Sequence, residues 1–204
     1  MATLGPLFEA AASLQAEFAR RAWSFCFIGG LAVQAWGQAR MTTDVDLSLL
    51  TGWGEEDRFL AGLEQFLTYR EEGNHRFALR SRVALMRSST GVPVDIALAA
   101  IPFETTCVRR AVDVRFEEGM MLRVCSATDL IVHKAFANRP LDWEDIDAIL
   151  VRSGHLVDRK EVVRELAPLA ALKEEPEIVD RFRALAERVE RREREERGKF
   201  WGHQ

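Results

Sequence analysis

The sequence predicts an α+β fold, with a mixed β-sheet flanked by helices over residues 1–125 and a helical bundle over residues 126–204. Two patterns predict it. Up to Cys125, short aliphatic and aromatic runs bounded by turn residues alternate with helical stretches; from Ser126 onward, apolar residues recur at helical spacing with few breaks. The length of 204 residues suits one domain, or a small domain with an appended helical part, and 48% hydrophobic with 29% charged residues is an ordinary globular composition.

The elements follow in order. "LFEAAASLQAEFARRA" (7–22) is rich in helix formers, and Leu7, Ala11, Leu14 and Phe18 form one stripe, so a helix is expected. "SFCFIG" (24–29) reads as a strand stopped by glycine, and "LAVQAWGQA" (31–39) as a helix opening just after Gly30. "DVDLSLL" (44–50) is a strand and "TGWG" a turn. "EEDRFLAGLEQFL" (55–67) is a helix, with acids in its first turn and Phe59, Leu60, Leu63, Phe66 and Leu67 on one stripe. "HRFALR" (75–80), "RVALMRS" (82–88) and "VPVDIALA" (92–99) are read as three strands, the last two joined by an "SSTG" turn. Two short strands follow around Glu118-Gly119. Ser126 is placed as the N-cap of a first C-terminal helix, with Asp129 three residues on. The remaining helices are punctuated by Gly154 and Pro168 and end in a charged segment, "ERVERREREERGK" (187–199), read as a solvated helix laced with i,i+4 pairs.

Composition narrows the function. A formal net charge of −4 argues against a surface that tracks nucleic acid along its whole length. No apolar run approaches the length of a membrane span, and no secretory leader is read at the N-terminus. Cys26, Cys107 and Cys125 are scattered and odd in number, which reads as reduced, buried thiols of a cytoplasmic protein.

The informative residues are acids in apolar strands. Asp44 and Asp46 stand at i and i+2, so a strand puts both on one face while Val45 and Leu47 take the other. Adjacent like charges raise each other's pKa unless a cation sits between them, and Mg²⁺ prefers one or two carboxylates plus water and phosphate oxygens. Asp95 interrupts a later apolar strand in the same way. If the two strands are neighbours, three carboxylates converge, the minimum for a two-metal phosphoryl-transfer site. Upstream, Gly29 and Gly30 end a strand and open a helix, where outward N–H groups and the helix dipole make an anion site suited to nucleotide phosphates. The plainer readings are an edge strand with wet aspartates and a simple strand-to-helix turn.

The stretch "IGGLAVQAWGQARMTTDVDL" resembles the glycine-pair and D-x-D signature of the DNA polymerase β-like nucleotidyltransferase superfamily. Within it, "GQARMTTDVDLSL" and the later "DLIVHKAFANRPLDWEDIDAIL" resemble the AbiEii-type nucleotidyltransferases, toxins of bacterial toxin–antitoxin and phage-abortive systems. The resemblance spans residues 25–150 and implies a nucleotidyltransferase core with NTP as substrate and two Mg²⁺ ions as cofactor. It implies that Asp44, Asp46 and Asp95 bind metal, that Asp95 helps deprotonate the attacking hydroxyl, and that Gly29, Gly30 and Lys134 contact the triphosphate. Arg40 and Thr43 are nucleotide-binding candidates, with Thr42 beside them at the mouth. The family glycine is often followed by serine; Leu31 stands there here, which leaves the phosphate to backbone N–H groups.

Other residues have structural expectations. Arg139, Asp142 and Asp145 are expected to tie helices together by capping and ion pairs, and His133 to pair with Asp129. Trp36 and Trp143 are expected in packing. The resulting expectation is a Mg²⁺-dependent transfer of a nucleoside monophosphate to an acceptor hydroxyl. The acceptor is RNA such as tRNA in a toxin–antitoxin setting, with an antitoxin protein as partner, or a small molecule such as an antibiotic. A catalytically silent binding module of the same fold is the third reading.

Overall fold

The computed structural model describes residues 5–116 and 119–201, the side chains of residues 197–201 excepted. The chain divides into two compact units: one formed by residues 1–35 and 39–126, the other by residues 36–38 and 127–204.

The first unit is built on a sheet of seven strands: β1 (Phe25–Phe27), β2 (Val45–Leu50), β3 (Thr68–Tyr69), β4 (Val83–Arg87), β5 (Pro93–Ala99), β6 (Val112–Arg115) and β7 (Met121–Val124). Their spatial order is β3-β4-β5-β2-β1-β7-β6. β2 runs parallel to β5 and β1 to β7, and the other neighbours are antiparallel, so the sheet is mixed, as the sequence predicts. The helices of this unit are α1 (Pro6–Arg20), α2 (Gly29–Trp36), α3 (Glu56–Leu63), α4 (Asn74–Ser81) and α5 (Pro102–Arg109), the last residue of α2 belonging to the second unit. The core takes Val45, Leu47 and Leu49 from β2 and Val94, Ile96 and Leu98 from β5, with Ala10, Ala11, Leu14 and Phe18 from α1. The stripe expected on α1 is thus the buried one, apart from Leu7, which is half-buried.

Two local expectations are corrected and one unassigned stretch proves helical. Residues 75–80 are not a strand: they lie in α4, bounded by left-handed Gly73 and Arg82. The alternation of Phe77 and Leu79 that suggested a strand is an accident of a short helix, since both remain exposed (37% and 38%) and only Ala78 is buried. Residues 102–109, to which the sequence assigned no element, form α5, which opens on Pro102; the Glu104 carboxylate accepts the N–H groups of Ala100 (2.8 Å) and Ile101 (3.2 Å). The helix expected over 55–67 ends at Leu63, and Thr68–Tyr69 adds a two-residue edge strand. The hairpin turn between β4 and β5 is present, with Gly91 N–H donating to the Ser88 carbonyl at 3.0 Å. Glu118 of the other expected turn lies outside the described residues.

The second unit is helical: α6 (Ala127–Ala137), α7 (Pro140–Ser153), α8 (Arg159–Leu172) and α9 (Glu177–Trp201), together with the segment Trp36–Gln38. Arg152 and Ser153 on α7 hold that segment by hydrogen bonds to the Gly37 and Trp36 carbonyls at 2.5 and 2.6 Å. Asp158 caps α8 by accepting from Lys160 and Glu161 N–H, and the helix runs on through Pro168. No helix among the described residues is long and apolar enough to cross a membrane.

Candidate active site

The site is made by register. β5 and β2 are the third and fourth strands from the β3 edge, and they pair so that Asp46 stands directly beside Asp95. Side chains opposite each other on neighbouring strands point to the same face, so the pairing alone brings these two carboxylates together. Asp44 lies one residue before β2, on the same side as Asp46 by the two-residue period. One oxygen from each of Asp44, Asp46 and Asp95 lies within 4.8 Å of the others, and all three residues are half-buried. This is the only group of three or more potential metal ligands at such spacing among the described residues.

Each acid is held in its own way. The Thr42 hydroxyl donates to Asp44 Oδ1 at 2.9 Å. Asp46 packs against Gly29: a Cβ built on that glycine would come 2.5 Å from Asp46 Cγ, far inside van der Waals contact. Gly29 also has φ +56°, a left-handed conformation that side chains disfavour. Gly30 is closed in the same way by Thr42, whose Cβ would lie 2.7 Å from an added one. The space left by the missing Cβ atoms is therefore filled by Asp46 and Thr42, not left open for phosphate. The glycine pair answers first to the carboxylates, and its anion-binding expectation rests on the N–H groups at the start of α2. Leu31, in the place of the family's serine, is buried in the core.

Asp95 has a partner that the sequence reading did not single out. Arg70 follows β3, and its Nη2 makes an ion pair with Asp95 Oδ1, while its Nε donates to the Met86 carbonyl at 3.1 Å. The pairing of Tyr69 with Met86 and the Arg70 N–H bond to the Leu85 carbonyl (3.1 Å) continue the ladder, so Arg70 falls in line with Leu85, Asp95 and Asp46 across four strands. The signal in the sequence was faint: one arginine after a two-residue strand, 25 positions from its aspartate.

The other predicted residues divide. Thr43 is exposed and Arg40 half-buried, both on the loop that leads into β2, where Met41 is 88% exposed. The Arg40 guanidinium reaches the Met41 carbonyl at 3.5 Å. Lys134 belongs to the helical unit. It is 5% exposed, and its ammonium lies 3.0 Å from Asp142 and 2.8 Å from Asp145. Arg139 completes the cluster, with Nε 2.7 Å from Asp142. Burial raises the Asp142 pKa, but the hydrogen bonds from Arg139 and Lys134 outweigh it and leave the carboxyl below its ordinary value. The expectation that Arg139, Asp142 and Asp145 tie helices together matches this geometry; a triphosphate contact for Lys134 is carried by the resemblance alone. Trp143 is buried, with its indole N–H donating to Asn138 at 2.8 Å. Burial, with a smaller push from the Lys134 charge, lowers the His133 pKa to about 4 against the opposing pull of Asp129, so His133 is neutral at pH 7.

No protein-family model and no curated protein sequence matches the chain. Solved structures do. The antibiotic-resistance factor ANT(2'')-Ia in solution aligns over 82% of this chain and 96% of its own, at 19% identity and a TM-score of 0.50. Its crystal structure with adenylyl-2''-tobramycin aligns over 79% and 98%, at 18% identity and a TM-score of 0.48. A nucleotidyltransferase-like protein from Paracoccidioides brasiliensis aligns over 86% and 91%, at 14% identity and a TM-score of 0.47. The likeness to ANT(2'')-Ia is one of fold, a mixed sheet flanked by helices with a C-terminal helical part.

Proposed function

We propose that the chain is a Mg²⁺-dependent nucleotidyltransferase that moves a nucleoside monophosphate from an NTP to an acceptor hydroxyl and releases pyrophosphate. The observation that carries this reading is the convergence of Asp44, Asp46 and Asp95, two of them in register on adjacent central strands. Three hard oxygen donors at this spacing suit Mg²⁺, and the fold is one that nucleotidyltransferases use. Bound by these carboxylates, Mg²⁺ supplies charge neutralisation at the phosphoryl group undergoing transfer.

The residues of the chain divide the remaining work. Thr42 fixes Asp44, Gly29 leaves room for Asp46, and Arg70 holds one oxygen of Asp95. Asp95 receives the proton of the acceptor hydroxyl as its oxygen bonds to the α-phosphorus and the bond to pyrophosphate breaks. The N–H groups of Gly29 and Gly30, with Arg40 and Thr43, receive the triphosphate at the start of α2. Any phosphate contact by Lys134 would require it to exchange Asp142 and Asp145 for phosphate.

Two acceptor classes are distinguished by different observations. The segment "GQARMTTDVDLSL" supports a toxin–antitoxin-type enzyme acting on RNA, with an antitoxin protein as partner. The likeness in fold to an antibiotic-resistance factor supports a small hydroxyl-bearing acceptor. Each α-labelled NTP is incubated with Mg²⁺ and either total RNA or an aminoglycoside panel, alongside Asp46→Asn. Label on RNA selects the first class and label on a drug the second. If neither acceptor is labelled above the Asp46→Asn background with any of the four NTPs, the reading is wrong.

A further inference from the structure

We infer that Arg70 is a built-in counter-cation of the carboxylate site, which positions Asp95 and competes with divalent metal for it; this rests on the metal-binding reading of Asp44, Asp46 and Asp95. Three observations support it. Arg70 lies in the same cross-strand row as Asp46 and Asp95, with only Leu85 between it and Asp95. Strands are about 4.8 Å apart, so Arg70 and Asp95 together bridge about 10 Å of backbone separation, most of it covered by the long arginine side chain. The guanidinium is also doubly fixed, by the Met86 carbonyl through Nε and by Asp95 through Nη2. It is therefore a placed group, and the fork geometry of arginine allows both contacts at once. Finally, the pair is partly shielded, at 25% and 29% side-chain exposure, beside two further carboxylates. Three acids within 4.8 Å repel one another strongly in that setting, and Arg70 is the cation that the fold itself brings to Asp95.

The consequence runs in two directions. Removing the guanidinium makes the site one charge more negative, so a divalent ion binds more tightly. It also frees Asp95 to rotate, so turnover falls. A role limited to clasping the β3 edge would change stability and leave metal affinity alone.

The test is direct Mn²⁺ binding, followed by electron paramagnetic resonance, on the parent chain, Arg70→Met, Arg70→Lys and Asp46→Asn, with circular dichroism confirming the fold of each. Arg70→Met is expected to bind Mn²⁺ about tenfold more tightly, the scale of one unit charge removed at close range in a partly solvated site. Arg70→Lys keeps the charge and is expected within about twofold of the parent, on the same reasoning. Unchanged or weaker binding in a folded Arg70→Met overturns the inference. So does a parent that binds Mn²⁺ no better than Asp46→Asn, which takes the metal site with it. Tighter binding in a protein that labels no acceptor sustains the role of Arg70 while sinking the proposed function, so the two fail separately.

Discussion

At the level of single residues, the site depends on close contacts more than on the acids alone. Gly29→Ala forces a methyl group into the Asp46 side chain and costs about 1–3 kcal/mol for the positive φ alone. We expect it to lower the melting temperature and also to abolish the stabilisation conferred by Mg²⁺. A ligand that binds only the folded state stabilises by RT ln(1 + [L]/Kd), so added Mg²⁺ should raise the melting temperature of the parent and leave Asp46→Asn unmoved. Differential scanning fluorimetry checks both, and a Gly29→Ala protein with a full Mg²⁺ shift would contradict the steric account. Thr42→Val removes the hydroxyl that steadies Asp44; the lost hydrogen bond is worth about 1 kcal/mol, and turnover should fall while the fold persists.

Among the elements, the buried cluster joining α6 and α7 gives the clearest expectation. Lys134→Met leaves Asp142 and Asp145 buried without their ammonium, and breaking a buried pair from one side costs about 3–5 kcal/mol. Denaturant unfolding should show that loss, and adding Asp142→Asn and Asp145→Asn should restore much of it. If Lys134→Met instead melts like the parent and raises only the KM for NTP, its ammonium serves the nucleotide. This is also the scale at which the sequence was partly misleading. β2 and β5 were legible because aliphatic alternation with a lone acid leaves few alternatives, and Asp44, Asp46 and Asp95 followed from it. α4 was not, because Phe77 and Leu79 imitate a strand's alternation while lying exposed on a helix set by left-handed Gly73 and Arg82, a backbone fact with little trace in residue type. Arg70 was hidden for a related reason. Its relation to Asp95 exists only after two antiparallel registers are fixed, one of them across the intervening α4, and β3 has two residues, too few for any pattern.

Over the whole molecule, two histidines should shape stability in opposite senses. The folded-state pKa of His133 is lowered to about 4 by burial, so its contribution is present above the ordinary histidine value of 6.5 and is lost as pH falls toward 4. The pKa of His75 is raised, chiefly by its hydrogen bond to Glu64 with Asp57 assisting, so its smaller, partly exposed contribution is present below 6.5 and is lost as pH rises through the folded value. Glu17, held to about 2 by Arg20 and Arg21, adds loss at the acid end as pH falls below its ordinary 4.5. Calorimetry across pH 4–9 should therefore trace a dome with its top near neutrality, steeper on the acid side. Replacing His75 by Asn should flatten the alkaline limb and leave the acid limb in place; an unchanged alkaline limb would remove His75 from this account.

The contact between Gly29 and Asp46 carries a consequence for how such chains diverge. Position 30 is confined to glycine by the bulk of Thr42, and position 29 by Asp46 together with its own backbone turn. A descendant that gives up Asp46 loosens the constraint at 29, and one that shrinks Thr42 releases 30. The residues at 29 and 30 should drift only after their partners have changed, so a side chain at either position marks a copy in which the acid site has begun to decay.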